Sequence, residues 1–230
     1  MSDSYTKTRD RLEIYFGKTS SKAWELLTTD VPVSGVRARV RAGRQQMREV
    51  LLSSFPQDLE GCRILDAGCG TGQISVELAC KGAEVVGVDI SERLITVAEK
   101  RLPEALKKKV KYEVGDMLDE KYGTFDYVIA MDSLIHYNSE DIAKSLGSLS
   151  RRTKKAISFT VAPKTLFLSL LLGLGKVLPS SERSPRLSPI NYGKLVNEIE
   201  KGRELAGWEL KVLKRVTESF YVSEAMTLVS

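Results

Sequence analysis

The sequence predicts an α/β fold built on a doubly wound, seven-stranded, mostly parallel sheet with an antiparallel hairpin at one edge. Strand and helix patterns alternate between residues 62 and 162, and two further strand patterns close the chain. Parallel strands need crossover helices, and these helices bury both faces of the sheet. The 230 residues, 42% hydrophobic and 28% charged, fit one globular domain over residues 1–230.

Five short apolar runs predict the parallel strands. In chain order they read CRILDA, AEVVGVDI, VKYEVGD, FDYVIAMD and KKAISFTVA. The segments GQISVELACKG, SERLITVAEKRLPEALKKK and SEDIAKSLGSLSRR lie between them and have the length and periodicity of helices. The final segments, WELKVLKRV and SFYVSEAMTLVS, predict the edge hairpin.

Two segments lie outside this predicted core, which comprises residues 61–162 and 202–230. Residues 1–60 predict a helical N-terminal cap, in which one stripe is expected to be buried: Val36, Val40, Gly43, Met47 and Val50. Residues 163–201 predict an inserted lid, with the apolar run TLFLSLLLGLGKVLP, the loop PSSERSPRLSP and a helix from about residue 190. The apolar run is shorter than the roughly 20 residues that span a bilayer, so we expect no transmembrane helix.

The net charge does not identify the ligand, but the cysteines and the N-terminal residues indicate the cellular compartment. The formal charge of +5 selects neither a small anion, a lipid surface nor nucleic acid. The three cysteines form no CxxC pair, and the first residues lack the apolar stretch of a secretory signal. We therefore expect a cytoplasmic protein with reduced cysteines.

The stretch LDAGCGTGQIS, residues 65–75, is the most informative part of the chain. A dinucleotide-binding G-x-G-x-x-G loop has its third glycine three residues after the second, whereas here it follows after two. The pattern D-A-G-C-G-T-G instead resembles motif I of the class I S-adenosylmethionine-dependent methyltransferases, whose sheet is Rossmann-like. The resemblance implies that Asp66 faces the methionine amino group, and that the backbone at Gly68 and Gly70 runs against the cofactor. A bare strand-to-helix turn is the alternative.

Two further aspartates end predicted strands at the same edge of the sheet. Asp89 and Asp116 follow AEVVGV and VKYEVG, and ligands of such sheets bind at the carboxyl ends of the strands. The resemblance implies that Asp89 binds the ribose hydroxyls and that Asp116 binds the adenine amino group. Neighbouring apolar residues complete the predicted cofactor site: Ile90, Met117 and Met131. An ordinary solvated turn residue is the alternative for each aspartate.

His136 is the only histidine and follows the fourth predicted strand. The motifs LIHY and APKT, with IYFGKTSSKAW near the start and SFYVSEA near the end, resemble the magnesium protoporphyrin IX methyltransferase family over nearly the whole chain. That family esterifies one porphyrin propionate in chlorophyll and bacteriochlorophyll synthesis. The resemblance implies that His136 orients this carboxylate or acts as a base, and a purely structural histidine is the alternative. Tyr15 is the second predicted catalytic residue, because the chain lacks the tyrosine that related sequences often carry shortly after Trp24.

The resemblance also implies the ligands. S-adenosylmethionine is the expected methyl donor and S-adenosylhomocysteine the product, while the porphyrin, not the protein, carries the magnesium. The predicted substrate contacts are Tyr137, Lys164, Arg183 and Arg186, and the apolar run at residues 166–178 is expected to face the ring, with a simple buried helix as the alternative. The porphyrin-binding subunit of magnesium chelatase is a candidate partner. No nucleic acid is expected, because no N-P-P-Y motif follows the fourth strand.

Four arginines share one face of a predicted helix: Arg37, Arg41, Arg44 and Arg48. The spacing predicts a solvated stripe, with a peripheral contact to an anionic photosynthetic membrane or to an acidic protein as the alternatives. Arg44 also departs from the glycine-histidine pair that is usual in the family. For the whole chain, a quinone-type methyltransferase and a non-catalytic porphyrin-binding module are the competing functions.

Overall fold

The computed structural model describes residues 2–19, 35–164, 187–218 and 221–230. The strands are β1 (Arg63–Ala67), β2 (Glu84–Asp89), β3 (Val110–Val114), β4 (Phe125–Ala130), β5 (Thr153–Val161), β6 (Glu209–Glu218) and β7 (Tyr221–Val229). They form one sheet in the order β3-β2-β1-β4-β5-β7-β6. The first five strands are parallel to one another, and β7 is antiparallel to both β5 and β6. The predicted fold class is therefore confirmed.

The helices are α1 (Asp3–Ile14), α2 (Val36–Leu52), α3 (Gln73–Cys80), α4 (Glu92–Arg101), α5 (Ser139–Ser150) and α6 (Tyr192–Lys201). Four of them begin after a serine or asparagine whose side chain accepts a hydrogen bond from a backbone N–H of the first turn. These capping residues are Ser2, Ser91, Asn138 and Asn191. Such caps satisfy donors that the helix itself leaves unpaired, so they fix where these helices start.

The helices cover both faces of the sheet. Successive strand residues point to opposite faces, and accordingly Ile64 and Leu65 belong to two different apolar clusters. The cluster around Ile64 includes buried residues of α2 and α3. The cluster around Leu65 includes buried residues of α1, α5 and α6. The sheet is buried on both sides, as a doubly wound arrangement requires.

The buried stripe of α2 differs from the predicted one. Gly43 and Met47 are buried as expected, but the stripe continues to Leu51, while Val36 is 49% exposed. The other two valines of the predicted stripe are half-buried. The reason is that α2 packs against β6 and β7 along residues spaced by four, and Val36 lies in the first turn of the helix.

A crevice opens at the carboxyl ends of β1 and β4. These strands are neighbours, but the chain continues from β1 towards β2 and β3, and from β4 towards β5 on the other side. Ligands of doubly wound sheets bind at this topological switch point. The crevice measures about 1020 Å³ including its open mouth, and it is lined by the loops after β1 to β4 together with residues of α1 and α2.

Candidate active site

The loop between β1 and α3 forms one wall of the crevice. Gly68 and Gly70 have φ angles of +80° and +55°, a region that other residues rarely adopt. A Cβ atom on Gly68 would lie 2.5 Å from the Cβ atom of Ser133, so glycine lets this loop pack against the loop after β4. A Cβ atom on Gly70 would meet no atom within 4 Å, and Gly70 lines the crevice. The backbone at Gly70 is therefore open to a ligand, as a cofactor lying against this loop requires.

Two buried carboxylates stand beside this loop. Asp66 accepts a 2.6 Å hydrogen bond from the Ser75 hydroxyl, and Asp89 accepts 2.9 Å bonds from the backbone N–H groups of Gly70 and Ser91. Burial raises the pKa of Asp66 to about 7; the Ser75 bond lowers it in part and the nearby Asp89 carboxylate raises it. Burial also raises the pKa of Asp89, against the lowering effect of its two backbone bonds. Both carboxylates line the crevice and suit a ligand with a cationic or hydroxyl group.

Asp116, the predicted adenine contact, is held by the N-terminal helix. Its Oδ1 accepts hydrogen bonds from the Tyr5 hydroxyl at 2.8 Å and from the Leu118 N–H at 2.9 Å, and its Oδ2 lies 3.2 Å from the Arg9 guanidinium. Burial, followed by the charges of Tyr137 and Asp116, raises the pKa of Tyr5, so this hydroxyl stays protonated as a donor. Sequence analysis missed Tyr5 and Arg9. Their spacing of four residues, which places both on one helix face, was the available signal.

His136 lies in a short 3₁₀ turn, Leu134–His136, after β4. It is 5% exposed, lines the crevice, and meets the Phe16 ring edge-on at 6.3 Å between ring centroids. Tyr137 also lines the crevice, and its ring stacks on Tyr5 at 4.8 Å. Tyr15 is half-buried against the apolar core and is not among the lining residues. Among residues 2–19, the aromatic residues that line the crevice are Tyr5 and Phe16.

The remaining predicted residues fall into two groups. Ile90, Met117 and Met131 line the crevice beside the carboxylates. Lys164 has an exposed side chain outside the crevice lining, and its backbone N–H donates to the carbonyl of residue 190. Arg183, Arg186 and the apolar run at residues 166–178 lie outside the described residues.

The predicted solvated arginine stripe is wrong for two of its members. Arg44 lies 3.1 Å from Asp132 and Arg48 lies 2.6 Å from Glu77, and both arginines line the crevice. The reason is that α2 packs on the sheet beside the carboxyl end of β4, so the helix face that carries Gly43 also turns Arg44 and Arg48 inward. No sequence pattern marked Asp132 as the partner of Arg44 or Glu77 as the partner of Arg48.

Residues 2–19, 35–164, 187–218 and 221–230 contain neither a candidate metal site nor a membrane-spanning helix. No group of three histidine, cysteine, aspartate or glutamate residues within these ranges could hold a metal ion. No helix within the same ranges combines the length and the apolar character needed to cross a bilayer.

Comparison with known proteins adds family information to this geometry. A family model described as magnesium-protoporphyrin IX methyltransferase C-terminus matches residues 130–230, and a model described as methyltransferase domain matches residues 64–156. The chain is 50% identical over 227 residues to a magnesium-protoporphyrin O-methyltransferase of Rhodobacter capsulatus, with 98% of each chain covered. It is 32% identical to a protein of the same name from Synechocystis sp., with 80% of each chain covered.

Solved structures agree with the sequence comparison. A crystal structure of magnesium protoporphyrin IX methyltransferase from Synechocystis PCC 6803 with bound SAH superposes with a TM-score of 0.81 at 27% identity. The superposition covers 96% of this chain and 99% of that chain.

Proposed function

This chain belongs to the magnesium-protoporphyrin O-methyltransferase family, and from that membership we propose how its crevice carries out the reaction. The protein is a methyltransferase that uses S-adenosylmethionine, and magnesium protoporphyrin is its acceptor. We propose that the accepting group is a propionate of magnesium protoporphyrin IX, which places the methyl ester in chlorophyll or bacteriochlorophyll synthesis. Family membership favours this acceptor over a quinone ring, and turnover over a non-catalytic porphyrin carrier.

One observation carries the proposed assignment of residues. A single crevice brings Asp66 and Asp89, from β1 and β2, together with His136, from the loop after β4. When bound, S-adenosylmethionine supplies a sulfonium methyl group, whose C–S bond breaks as a C–O bond forms to the propionate. Asp66 would hold the amino group of this cofactor and Asp89 its ribose hydroxyls. Asp116, already ordered by Tyr5, would hold the adenine.

His136 would position the acceptor. A propionic acid with an ordinary pKa of about 4 to 5 is ionised near neutral pH, so the reaction needs no strong base. The main tasks of the protein are to fix one carboxylate oxygen towards the methyl group and to exclude water from the attacking anion. His136 is buried beside the Phe16 ring and can donate a hydrogen bond to that carboxylate, whereas removal of a proton is needed only if the acid arrives protonated.

Substitution of His136 tests this assignment. We expect His136→Ala to lower turnover of magnesium protoporphyrin by about 10²-fold or more, the range for a positioned acid-base group, with little change in affinity for S-adenosylhomocysteine. His136→Gln keeps an amide donor and should retain much more activity than His136→Ala if orientation is the role. If proton removal is the role, both variants should be equally poor.

Tyr192→Ala on α6 is the matched control, because this ring is 47% exposed and lies outside the crevice lining. Turnover is followed by chromatography of the ester formed from labelled S-adenosylmethionine. A folded His136→Ala protein with turnover like that of the control would contradict both roles of the histidine.

The proposal also includes two partners of this protein, an anionic membrane and the porphyrin-binding subunit of magnesium chelatase. Arg37 and Arg39, in the first turns of α2, are exposed and could meet an anionic membrane surface or an acidic face of the porphyrin-binding subunit of magnesium chelatase. Lys164, Arg183 and Arg186 remain the proposed contacts of a second propionate. Co-sedimentation with anionic and neutral vesicles, and binding to the purified subunit, test the two partners. An Arg37→Ala/Arg39→Ala protein that binds both like the wild type would remove these arginines from the contact.

A further inference from the structure

A buried ion pair in the crevice wall has no role in the mechanism above. The Nε atom of Arg44 lies 3.1 Å from Oδ2 of Asp132, and the two side chains are 18% and 5% exposed. Both residues line the crevice. Burying an ion pair is costly unless its geometry is well fixed, so this pair calls for a physical explanation.

Asp132 has an unusual backbone conformation and is fixed by two hydrogen bonds, one at its backbone and one at its side chain. Its φ angle is +55°, the only positive φ of a non-glycine residue in the described ranges. Its N–H donates to the Thr160 hydroxyl at 2.8 Å, and its Oδ1 accepts a 2.9 Å hydrogen bond from the Tyr221 hydroxyl. Backbone conformations of this kind persist where the surroundings over-determine them. Asp132 therefore acts as a rigid support for the Arg44 guanidinium.

The ion pair lies at the end of the crevice formed by β1 and β4. Asp132 directly precedes Ser133, which packs against Gly68 of the loop after β1. Asp116 instead follows β3, which is the edge strand two positions from β1 in the direction away from β4. This end would receive the amino-acid part of the cofactor and the acceptor. Each of these groups carries a carboxylate.

The charges in the crevice favour Arg44 as the receptor for such a carboxylate. The described lining contains four aspartates against two arginines, Arg44 and Arg48. Arg48 forms a 2.6 Å ion pair with Glu77 of α3, a residue outside the lining. A guanidinium has five N–H donors in a planar fork, so Arg44 can keep its contact with Asp132 and bind a second carboxylate through two parallel hydrogen bonds.

We propose that Arg44 is a carboxylate-binding residue of this crevice, held in place by Asp132. The inference rests on the proposed function, because that function supplies the two sources of the carboxylate: the methionine part of the cofactor and a porphyrin propionate. Lysine at this position would keep the positive charge beside Asp132 but would lose the fork.

The test compares ligands with and without their carboxylates. Calorimetry measures binding of S-adenosylhomocysteine and of its decarboxylated analogue, and absorbance titration measures binding of magnesium protoporphyrin IX and of its dimethyl ester. The proteins are the wild type, Arg44→Lys and Arg44→Met, with Arg93→Met as the matched control, because Arg93 is exposed on α4 and lies outside the crevice lining. Arg44→Lys keeps a positive charge beside the buried Asp132 carboxylate, so its ligand affinities can be measured even if Arg44→Met does not fold.

We expect the wild type and the control to prefer the carboxylate form by about tenfold or more in at least one ligand pair. Arg44→Lys should lose most of that preference. The ligand pair in which it is lost shows whether the bound carboxylate belongs to the cofactor or to the porphyrin. An unchanged preference in both pairs, or a wild type without any preference, would overturn the inference. In that case normal turnover of the wild type would leave the proposed function standing. A wild type that neither binds nor methylates the porphyrin would overturn the proposed function as well.

Discussion

Replacement of Asp66 by asparagine separates two effects of this buried carboxylate, its effect on folding stability and its effect on cofactor binding. Burial raises the pKa of Asp66 from 3.8 to about 7, so the folded protein favours the protonated form. The contribution of Asp66 to folding stability is then greatest below pH 3.8, falls as the pH rises from 3.8 to about 7, and is constant above that range. At about 1.36 kcal/mol for each pKa unit, the full cost is at most about 4 kcal/mol.

Asparagine cannot ionise, and its amide oxygen can still accept the hydrogen bond from Ser75. We expect the free energy of unfolding of Asp66→Asn, relative to the wild type, to be higher at about pH 8 than at about pH 5 by roughly 2.5 kcal/mol. Any pH-independent effect of the amide cancels in this difference. Urea unfolding of both proteins at the two pH values measures it.

Asp126→Asn is the matched control. The N–H of Arg63 donates to Asp126 at 2.9 Å and is the main reason why the pKa of this carboxyl is lowered below 3.8. Its contribution to stability is complete above pH 3.8 and is lost only as the pH falls further, so the effect of Asp126→Asn should be the same at about pH 5 and about pH 8. A difference below about 0.5 kcal/mol for Asp66→Asn would refute the reasoning from burial. The same variant should bind S-adenosylmethionine more weakly at about pH 8, where only the wild type presents an anion.

Two further variants address the other cofactor contacts. Asp89→Ala should weaken S-adenosylmethionine binding by about 1.5 to 3 kcal/mol, the range for hydrogen bonds to a charged group, and calorimetry that shows unchanged affinity in a folded variant would remove Asp89 from the site. Tyr5→Phe keeps the ring stacked on Tyr137 but removes the hydrogen bond to Asp116, so cofactor affinity should fall by about 0.5 to 1.5 kcal/mol at nearly constant turnover at saturating cofactor. Affinity equal to that of the wild type would show that Asp116 needs no support from α1.

Local patterns were sufficient to predict the fold and the strand ends. The alternation of strand and helix periodicity requires crossover helices, and this requirement gives the parallel sheet that the structure shows. The same alternation places the loops after β1 and β2 at one edge, so the sequence alone predicts that Asp66, Gly70 and Asp89 meet there. They do line one crevice.

The tertiary structure alone decided which side chains meet across the crevice. Tyr5 and Asp116 are far apart in sequence, and so are Arg44, Asp132 and Tyr221. Periodicity reports which face of an element is apolar, but it does not report which other element covers that face. The arginine stripe of α2 thus looks solvated in the sequence, but the packing of α2 on β6 and β7 turns one of its members, Arg44, towards the loop after β4. The positive φ of Asp132 has the same origin, because only contacts from distant parts of the chain can hold a residue in a conformation that its own sequence does not favour.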